Sequence, residues 1–384
     1  MNLLTRELIQ ELLSVSRVPC QSLYMPTHRS HPDNLQDPIR FKNLVKQLEE
    51  SLLKQYSAIE VKKFLDPFIT LGNNNEFWNH ALDGLAVLST IDLFKVIRLP
   101  ISVEELAVVA DSFHTKPLRQ YLQTVDRYHV LGLNLHEIRL FEGNRHSLVE
   151  VELPPDIPRT IKEALGDELT EKHSTVASYG GVGGKSSDMH HGHGARKDEI
   201  DKDAERFFRV VADTIYENYL KPSGLPLILA ALPEHHSLFQ KVNKNPLLLP
   251  KGISVNTKSI TTDKLIELAW EVMEPVYLLK LTSLVNKFEQ AKANGKGSDE
   301  IKEVAVAAVD GKVDTLIIEA DRMIAVRITN LVTGNTQKKD LKNPKVDDLL
   351  DDLGELVTKM GGQVMVLPTE MMPSQTGLAA IFRY

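Results

Sequence analysis

The apolar pattern that begins at residue 198 constrains the fold more than any other feature of the sequence. Over 198–220, apolar side chains recur at helical spacing on one face, which comprises Phe207, Val210, Val211, Ile215 and Tyr219. Pro222 ends this helix, and the apolar run 226–231 predicts a strand that is buried on both faces. Such a strand needs helices packed against its sheet. Because strand-like segments also precede the helix, the order predicts an α/β layer at 126–252.

Helices and strands also alternate on both sides of this layer. A helix that begins near Pro38 carries an apolar stripe, which comprises Phe41, Leu44, Val45, Leu48, Leu52 and Leu53. Short strand-like segments flank that helix within 1–125. Residues 253–384 show the helix and strand order of an α/β/α sandwich. We therefore expect an α/β chain of three domains: 1–125, 126–252 and 253–384.

Composition and charge exclude several classes of protein. The chain is 42% hydrophobic and 25% charged, which argues against disorder as its default state. No apolar run approaches the roughly 18 residues that cross a bilayer, and the N-terminus lacks the apolar core of a signal peptide. Cys20 is the single cysteine, which excludes an internal disulfide and fits a reducing cytoplasm. The net charge of −7 argues against a duplex-DNA binder. We expect a cytoplasmic protein that binds neither membrane nor DNA.

The segment 178–197 is the most informative loop. Its glycines give the backbone a freedom that a compact domain seldom carries without a use. Lys185, Arg196 and Lys197 outnumber Asp188 in it, and acidic residues then crowd the start of the following helix, where the helix dipole favours them. The pattern predicts a mobile, locally basic projection that contacts phosphate groups.

Three other interpretations of this loop compete with that one. The run 183–186, Gly-Gly-Lys-Ser, imitates a phosphate-binding loop, but Tyr179 stands where a glycine is needed and no helix follows directly. His190, His191 and His193 are possible metal ligands, although flexible histidine and glycine runs usually make weak, adventitious sites. A solvated linker is the third interpretation. We expect no nucleotide cofactor and no metal.

A second group of basic residues follows the strand predicted at 21–25 and reaches into the start of the helix near Pro38. It consists of His28, Arg29, His31 and Arg40. Helix capping and surface solvation explain this group about as well as contact with RNA does.

Several stretches resemble the bacterial relatives of archaeal–eukaryotic class-1 release factors and of Pelota. They lie at 23–29 (Leu-Tyr-Met-Pro-Thr-His-Arg), 36–40 (Gln-Asp-Pro-Ile-Arg), 139–143 (Arg-Leu-Phe-Glu-Gly) and 377–384 (Gly-Leu-Ala-Ala-Ile-Phe-Arg-Tyr). The resemblance covers essentially the whole chain, and it implies three α/β domains arranged as in those factors.

The resemblance also implies partners and contact residues. The chain would enter the A site of the bacterial 70S ribosome, with His28, Arg29, His31 and Arg40 at the decoding centre in the 16S rRNA. The middle-domain loop would reach the peptidyl-transferase centre in the 23S rRNA through Gly183, Gly184, Lys185, Met189, His190, His191, His193, Arg196 and Lys197. The third domain would bind elongation factor Tu.

The residues that carry a release factor's chemistry are missing from the matching positions. Release factors hydrolyse peptidyl-tRNA with a Gly-Gly-Gln tip, but the loop 178–197 contains no glutamine, and the first domain lacks an Asn-Ile-Lys-Ser stretch. The string Gly-Gly-Gln does occur at 361–363, where glycine is the expected cap of a helix predicted at 346–360. We therefore expect a ribosome hibernation factor without catalytic residues. The alternatives are a rescue factor that recruits a GTPase, and a peptidyl-tRNA hydrolase that acts through the histidines of the loop.

Overall fold

The computed structural model contains helices and sheets throughout, which confirms the predicted α/β class. It describes residues 6–15, 17–29, 31–123, 126–155, 157–166, 169, 193–330, 335–338 and 347–384. The chain forms two compact units, of which unit 1 is Met1–Val125 with Leu279–Tyr384 and unit 2 is Asp126–Leu278. The three predicted domain ranges stay a prediction. Among the described residues, no helix is long and apolar enough to span a membrane.

The N-terminal part of unit 1 is a sheet with helices on both faces. Its elements are α1 (Arg6–Leu13), β1 (Cys20–Pro26), a 3-10 turn (Asp33–Gln36), α2 (Asp37–Leu52), α3 (Ala58–Gly72), α4 (Asn75–Trp78), β2 (Gly84–Ser89), β3 (Phe94–Leu99), β4 (Leu106–Ala110) and α5 (Lys116–Leu122). The antiparallel strand order is β3-β2-β1-β4. Side chains alternate along β1, so Leu23 and Met25 pack beneath α2 and α3, while Tyr24 packs with α1.

The predicted stripe on α2 is confirmed except at its end. Phe41, Leu48 and Leu52 are fully buried, whereas Leu53 follows the helix and is 49% exposed. The next helix, α3, begins with a capping box, in which Ser57 and Glu60 each bond the backbone N–H of the other. Cys20 is buried, as its apolar surroundings predict.

Unit 2 contains a four-stranded sheet. Its elements are β5 (Tyr128–Leu133), β6 (Ile138–Asn144), β7 (Ser147–Glu150), α6 (Ile161–Leu165), α7 (His193–Ile215), a π-helical turn (Tyr216–Leu220), α8 (Lys221–Ser223), β8 (Leu227–Ala230), α9 (Pro233–Val242), a 3-10 turn (Thr257–Ser259) and the start of α10 (Thr262–Ala293). The strand order is β7-β6-β5-β8, and only the pair β5 and β8 is parallel. The strand predicted at 226–231 is β8, and α7 precedes it as predicted.

Two helices of unit 2 can be compared with the sequence-based expectation. The helix predicted from residue 198 already begins at His193. The sequence predicts a helix at 262–293 within the range 253–384. The structure confirms this helix, and its first half packs on the unit 2 sheet through Leu265, Ala269 and Met273. These residues are spaced four apart and form an apolar stripe, and that spacing cannot reveal which sheet the stripe covers.

The C-terminal part of unit 1 contains two further sheets. Its elements are β9 (Gly297–Ser298), α11 (Ile301–Val309), β10 (Val313–Glu319), β11 (Ala325–Asn330), β12 (Asn335–Lys338), β13 (Asp347–Asp348), α12 (Leu349–Lys359), β14 (Gln363–Leu367), a 3-10 turn (Thr369–Met371) and β15 (Leu378–Phe382). The larger sheet has the order β14-β10-β15-β9, and the smaller one has the order β12-β11-β13. Helices α11 and α12 share a core with the larger sheet.

A buried polar group, which we call the α5–α12 cluster, joins the two parts of unit 1. It consists of Thr115, Lys116, Arg119, Asp348, Asp351 and Thr358. Lys116 Nζ donates to Asp348 Oδ2 at 2.7 Å, and the backbone N–H of Thr115 donates to Asp351 Oδ2 at 2.9 Å. Arg119 bridges the hydroxyl groups of Thr115 and Thr358, at 2.8 and 2.7 Å.

Candidate functional site

The predicted decoding-centre residues lie on the connection between β1 and α2. The buried carboxylate of Asp37, in the first turn of α2, organises this connection. It accepts a hydrogen bond from the backbone N–H of His28 at 2.8 Å, and its Oδ1 lies 2.8 Å from His28 Nδ1. Arg40, one turn further along α2, reaches the same Oδ1 at 3.5 Å. The structure therefore brings His28 and Arg40 together around one acid.

The other two predicted residues differ in their contacts. Arg29 makes a two-pronged contact with Asp83, from Nε to Oδ1 at 2.8 Å and from its terminal nitrogen to Oδ2 at 2.6 Å. Arg40 is paired a second time, with Nε 2.8 Å from Glu105 Oε1. His31 is exposed, and its side chain makes no hydrogen bond with any described residue.

These ion pairs limit the free positive charge of the β1–α2 connection. An arginine held by both oxygens of a carboxylate has already used its planar pair of donors. A phosphate group that docks here has to compete with Asp37, Asp83 or Glu105. The cations are visible in the sequence, but this competition is not, because Asp83 and Glu105 are distant in the sequence.

Most of the predicted loop at the peptidyl-transferase centre lies outside the described residues. This applies to Gly183, Gly184, Lys185, Met189, His190 and His191. His193, Arg196 and Lys197 lie in the first two turns of α7, where the structure describes the backbone and not the side chains. The first backbone N–H groups of a helix lack partners within it, and they favour anions such as phosphate. The contacts predicted for the loop stay a prediction.

The string Gly361-Gly362-Gln363 is a helix cap in the structure. Gly361 has φ of +75°, and its N–H donates to Thr358 O at 3.0 Å. The N–H of Gly362 donates to Val357 O at 2.8 Å, which completes the Schellman arrangement that ends α12. Gln363 then opens β14. The Gly-Gly-Gln string therefore ends a helix and begins a strand.

Sequence reasoning missed a group of charged residues around the buried Asp126 and His129 in unit 2, which we call the Asp126 cluster. It consists of Asp126, Arg127, His129, Glu142, Arg145, Trp270 and Tyr277. Glu142 pairs with Arg127, and its Oε2 lies 3.3 Å from His129 Nε2. The guanidinium of Arg145 lies over the rings of Trp270 and Tyr277, at 5.7 and 5.2 Å, and 3.3 Å from Asp126 Oδ2. The seven-residue spacing of Trp270 and Tyr277 on α10 was the available signal.

Burial displaces the pKa values of this cluster. It raises the pKa of Asp126 to about 6, although Arg145 partly opposes the shift. It lowers the pKa of His129 to about 4, and the positive charge of Arg127 adds to that shift. Asp126 Oδ1 and His129 Nδ1 have no hydrogen-bond partner among the described residues. The cluster therefore forms a partly buried contact between β5, β6 and α10 in which two titratable groups have displaced pKa values.

The run Pro233-Glu234-His235-His236 after a strand predicts an exposed turn, but both histidines lie in α9. His235 is buried against the ring of Phe208, and Nε2 of His236 lies 3.0 Å from Ala231 O and 3.1 Å from Ile253 O. The ring of His236 therefore ties α9 to the end of β8. Pro233 starts this helix, which is why the turn ends there.

One protein-family model matches the middle of the chain. Residues 127–312 match the sequence model of bacterial archaeo-eukaryotic release factor family 3. No curated protein matches the sequence.

Several solved structures are similar to the chain. The archaeal translation termination factor aRF1 is 16% identical, with 98% of this chain and 96% of that chain covered and a TM-score of 0.25. Ribosome-bound archaeal Pelota is 15% identical, with 78% of each chain covered and a TM-score of 0.41. Dom34 of S. cerevisiae, a translation termination-like factor, is 14% identical, with 78% and 79% covered and a TM-score of 0.41.

Proposed function

We propose that the whole chain is a release-factor-like protein that occupies the A site of the bacterial 70S ribosome and blocks translation. It neither reads a codon nor releases a peptide, and it works in the cytoplasm. The observation that carries this proposal is the family match over 127–312, because the matched segment includes the loop 178–197, which has no glutamine. Within that family, the chain resembles most the hibernation factor Balon.

The loop is the main contact with the 23S rRNA in this proposal. Lys185 precedes α7, and Arg196 and Lys197 lie in its first turns, where unpaired backbone N–H groups also favour phosphate. Cations near a helix N-terminus are unfavourable for the helix itself, so their presence there supports an external anion as partner. Contact with phosphate groups makes binding weaken as the salt concentration rises.

The first domain contributes less free charge in this proposal. His28, Arg29 and Arg40 already have carboxylate partners. Their contact with the 16S rRNA therefore depends on the shape of this surface and on phosphate groups that compete with those carboxylates for hydrogen bonds. His31 is exposed and adds a donor to this surface. The third domain binds elongation factor Tu, which would deliver the protein to the A site.

Co-sedimentation of the full-length protein with vacant 70S ribosomes tests the proposal. The variant Lys185→Glu/Arg196→Glu/Lys197→Glu should bind at least about tenfold more weakly, because each reversed charge removes a phosphate contact. The matched control is Lys244→Glu/Lys251→Glu, since both lysines are exposed on unit 2 outside the loop. No ribosome binding by the wild-type protein, or equal loss in both variants, would contradict the proposal.

A release assay distinguishes the alternatives. Ribosomes loaded with peptidyl-tRNA should retain the peptide when the protein is added. Hydrolysis that disappears in the variant His190→Ala/His191→Ala/His193→Ala would show a peptidyl-tRNA hydrolase instead. Separation of the ribosomal subunits after addition of a translational GTPase and GTP would indicate a rescue factor.

A further inference from the structure

An apolar groove runs between α2 and α3 on the surface of unit 1. It has a volume of about 550 Å³, and its floor is formed by core side chains such as Val45, Val61 and Leu65. At its edges Leu53 and Ile69 are 49% and 51% exposed, although both are large apolar side chains. Exposed apolar side chains scattered singly are ordinary, but here they line one concave surface whose floor is apolar as well.

The rim of this groove carries unpaired positive charge. Lys42 and Lys46 project from α2, and Lys62 projects from α3, against the single acid Glu49. None of the three lysines makes an ion pair with any residue that the structure describes. The chain as a whole has a net charge of −7, so this local excess of cations runs against the overall balance.

We propose that this groove binds an acidic amphipathic helix of a partner protein. Grooves with an apolar floor bind helices through residues spaced three and four apart, and charged rims select the partner by complementary charge. The α2 side of the groove is lined from Phe41 to Leu53, which is roughly 18 Å at the helical rise, so the groove offers room for about three turns of a partner helix. A phosphate backbone would satisfy the lysines but would leave Leu53 and Ile69 in water. The apolar floor therefore favours a peptide over RNA. This inference does not depend on ribosome binding.

Fluorescence anisotropy with the full-length protein tests the proposal. The probe is a labelled synthetic peptide of about 16 residues, with leucine on one helical face and glutamate on its flanks. We expect micromolar binding that weakens with salt. The variant Lys42→Glu/Lys46→Glu should bind at least about tenfold more weakly because the charge match is reversed. Ile69→Glu should also bind more weakly, since it places a charge at the apolar edge.

Matched controls separate the groove from general effects. Lys63→Glu and Ile59→Ser alter exposed residues of α3 that do not line the groove, so they should bind the peptide within about twofold of the wild type. Circular dichroism checks that every variant is folded, and Leu53→Glu serves as a second groove variant if Ile69→Glu unfolds.

Several outcomes would overturn the proposal. One is the absence of peptide binding by the wild-type protein, and another is equal binding of a scrambled peptide with the same composition. A third is displacement of the peptide by a single-stranded oligouridine probe whose own binding is lost in Lys42→Glu/Lys46→Glu. That result would assign the surface to RNA.

Discussion

The α5–α12 cluster of unit 1 and the Asp126 cluster of unit 2 both contain buried carboxylates. The two clusters differ in how many hydrogen bonds those carboxylates accept. Asp348 accepts from Lys116 through Oδ2, and through Oδ1 from the backbone N–H groups of Ile324 and Leu350. Both oxygens of Asp351 accept from Thr115. In unit 2, Asp126 has one arginine on Oδ2 and no partner among the described residues for Oδ1.

This difference shows that burial alone does not decide how a charge behaves. Desolvation penalises an ion in both clusters, and hydrogen bonds to the ion offset that penalty. In the α5–α12 cluster every carboxylate oxygen is compensated. In the Asp126 cluster the compensation is incomplete, so burial displaces the pKa values of Asp126 and His129. The first cluster therefore holds two parts of unit 1 together, while the second contains two groups whose pKa values burial moves in opposite directions.

The largest expected effect is that of Lys116→Met. It leaves the carboxylate of Asp348 buried without its cation, which should cost about 3–5 kcal/mol of unfolding free energy. Urea denaturation of the full-length protein measures this loss. The control is Lys312→Met, which breaks the exposed pair with Asp310 and should lower the unfolding free energy far less, because an exposed ion pair contributes little to stability. Equal losses of unfolding free energy in the two variants would show that the α5–α12 cluster does not hold the two parts of unit 1 together.

The second prediction concerns His129. Its pKa is lowered to about 4 in the folded protein, so its contribution to stability is present above its usual pKa of 6.5 and is lost as pH falls from 6.5 towards 4. A shift of this size corresponds to about 3 kcal/mol. In His129→Gln this loss should be absent, which thermal unfolding measured between pH 7 and pH 4 detects. An unchanged pH profile would show that the histidine does not titrate in this range.

Asp126 should act with the opposite sign over the same range. Because its pKa is raised to about 6, its contribution to stability is present below 3.8 and is lost as pH rises towards 6. The shift again corresponds to about 3 kcal/mol, so the two groups nearly cancel in the wild-type protein. Asp126→Asn should expose the effect of His129 and make the protein less stable at pH 4 than at pH 7. A flat profile in this variant would argue against the cancellation.

The smallest expected effect is that of Arg145→Lys. Lysine keeps the positive charge but loses the flat guanidinium that lies over Trp270 and Tyr277, which should cost about 1 kcal/mol. The comparison is Arg139→Lys, where the arginine lies 4.8 Å from the ring centre of Phe141 and is more exposed. Denaturation midpoints measure both. A larger loss of stability in Arg139→Lys than in Arg145→Lys would contradict the expectation that the more buried arginine contributes more.

Local pattern was sufficient for much of the fold. The apolar stripe on α2 predicts that helix correctly, because the spacing of apolar residues within one element is set by neighbouring residues in the sequence. The role of Gly361 as a helix cap followed in the same way, from its position after an amphipathic helix.

The candidate sites were only partly foreseeable. Arg29 and Arg40 were identified as basic surface residues, but their partners Asp83 and Glu105 lie just before β2 and β4 and are distant in the sequence. The Asp126 cluster was missed because its charged residues in β5 and β6 meet aromatic residues of α10 only after folding. The α2–α3 groove was missed because periodicity identifies a helix without showing the space beside it.

The sequence by itself determined which segments become helices and strands, and that the loop 178–197 lacks the glutamine of a hydrolytic tip. Only the tertiary structure decided which charges are neutralised. Lys116 meets Asp348 across most of the length of the chain, and Arg29 meets Asp83 across three helices. The physical reason is that hydrophobic spacing is local, whereas desolvation and ion pairing depend on whichever groups folding brings within about 4 Å of each other.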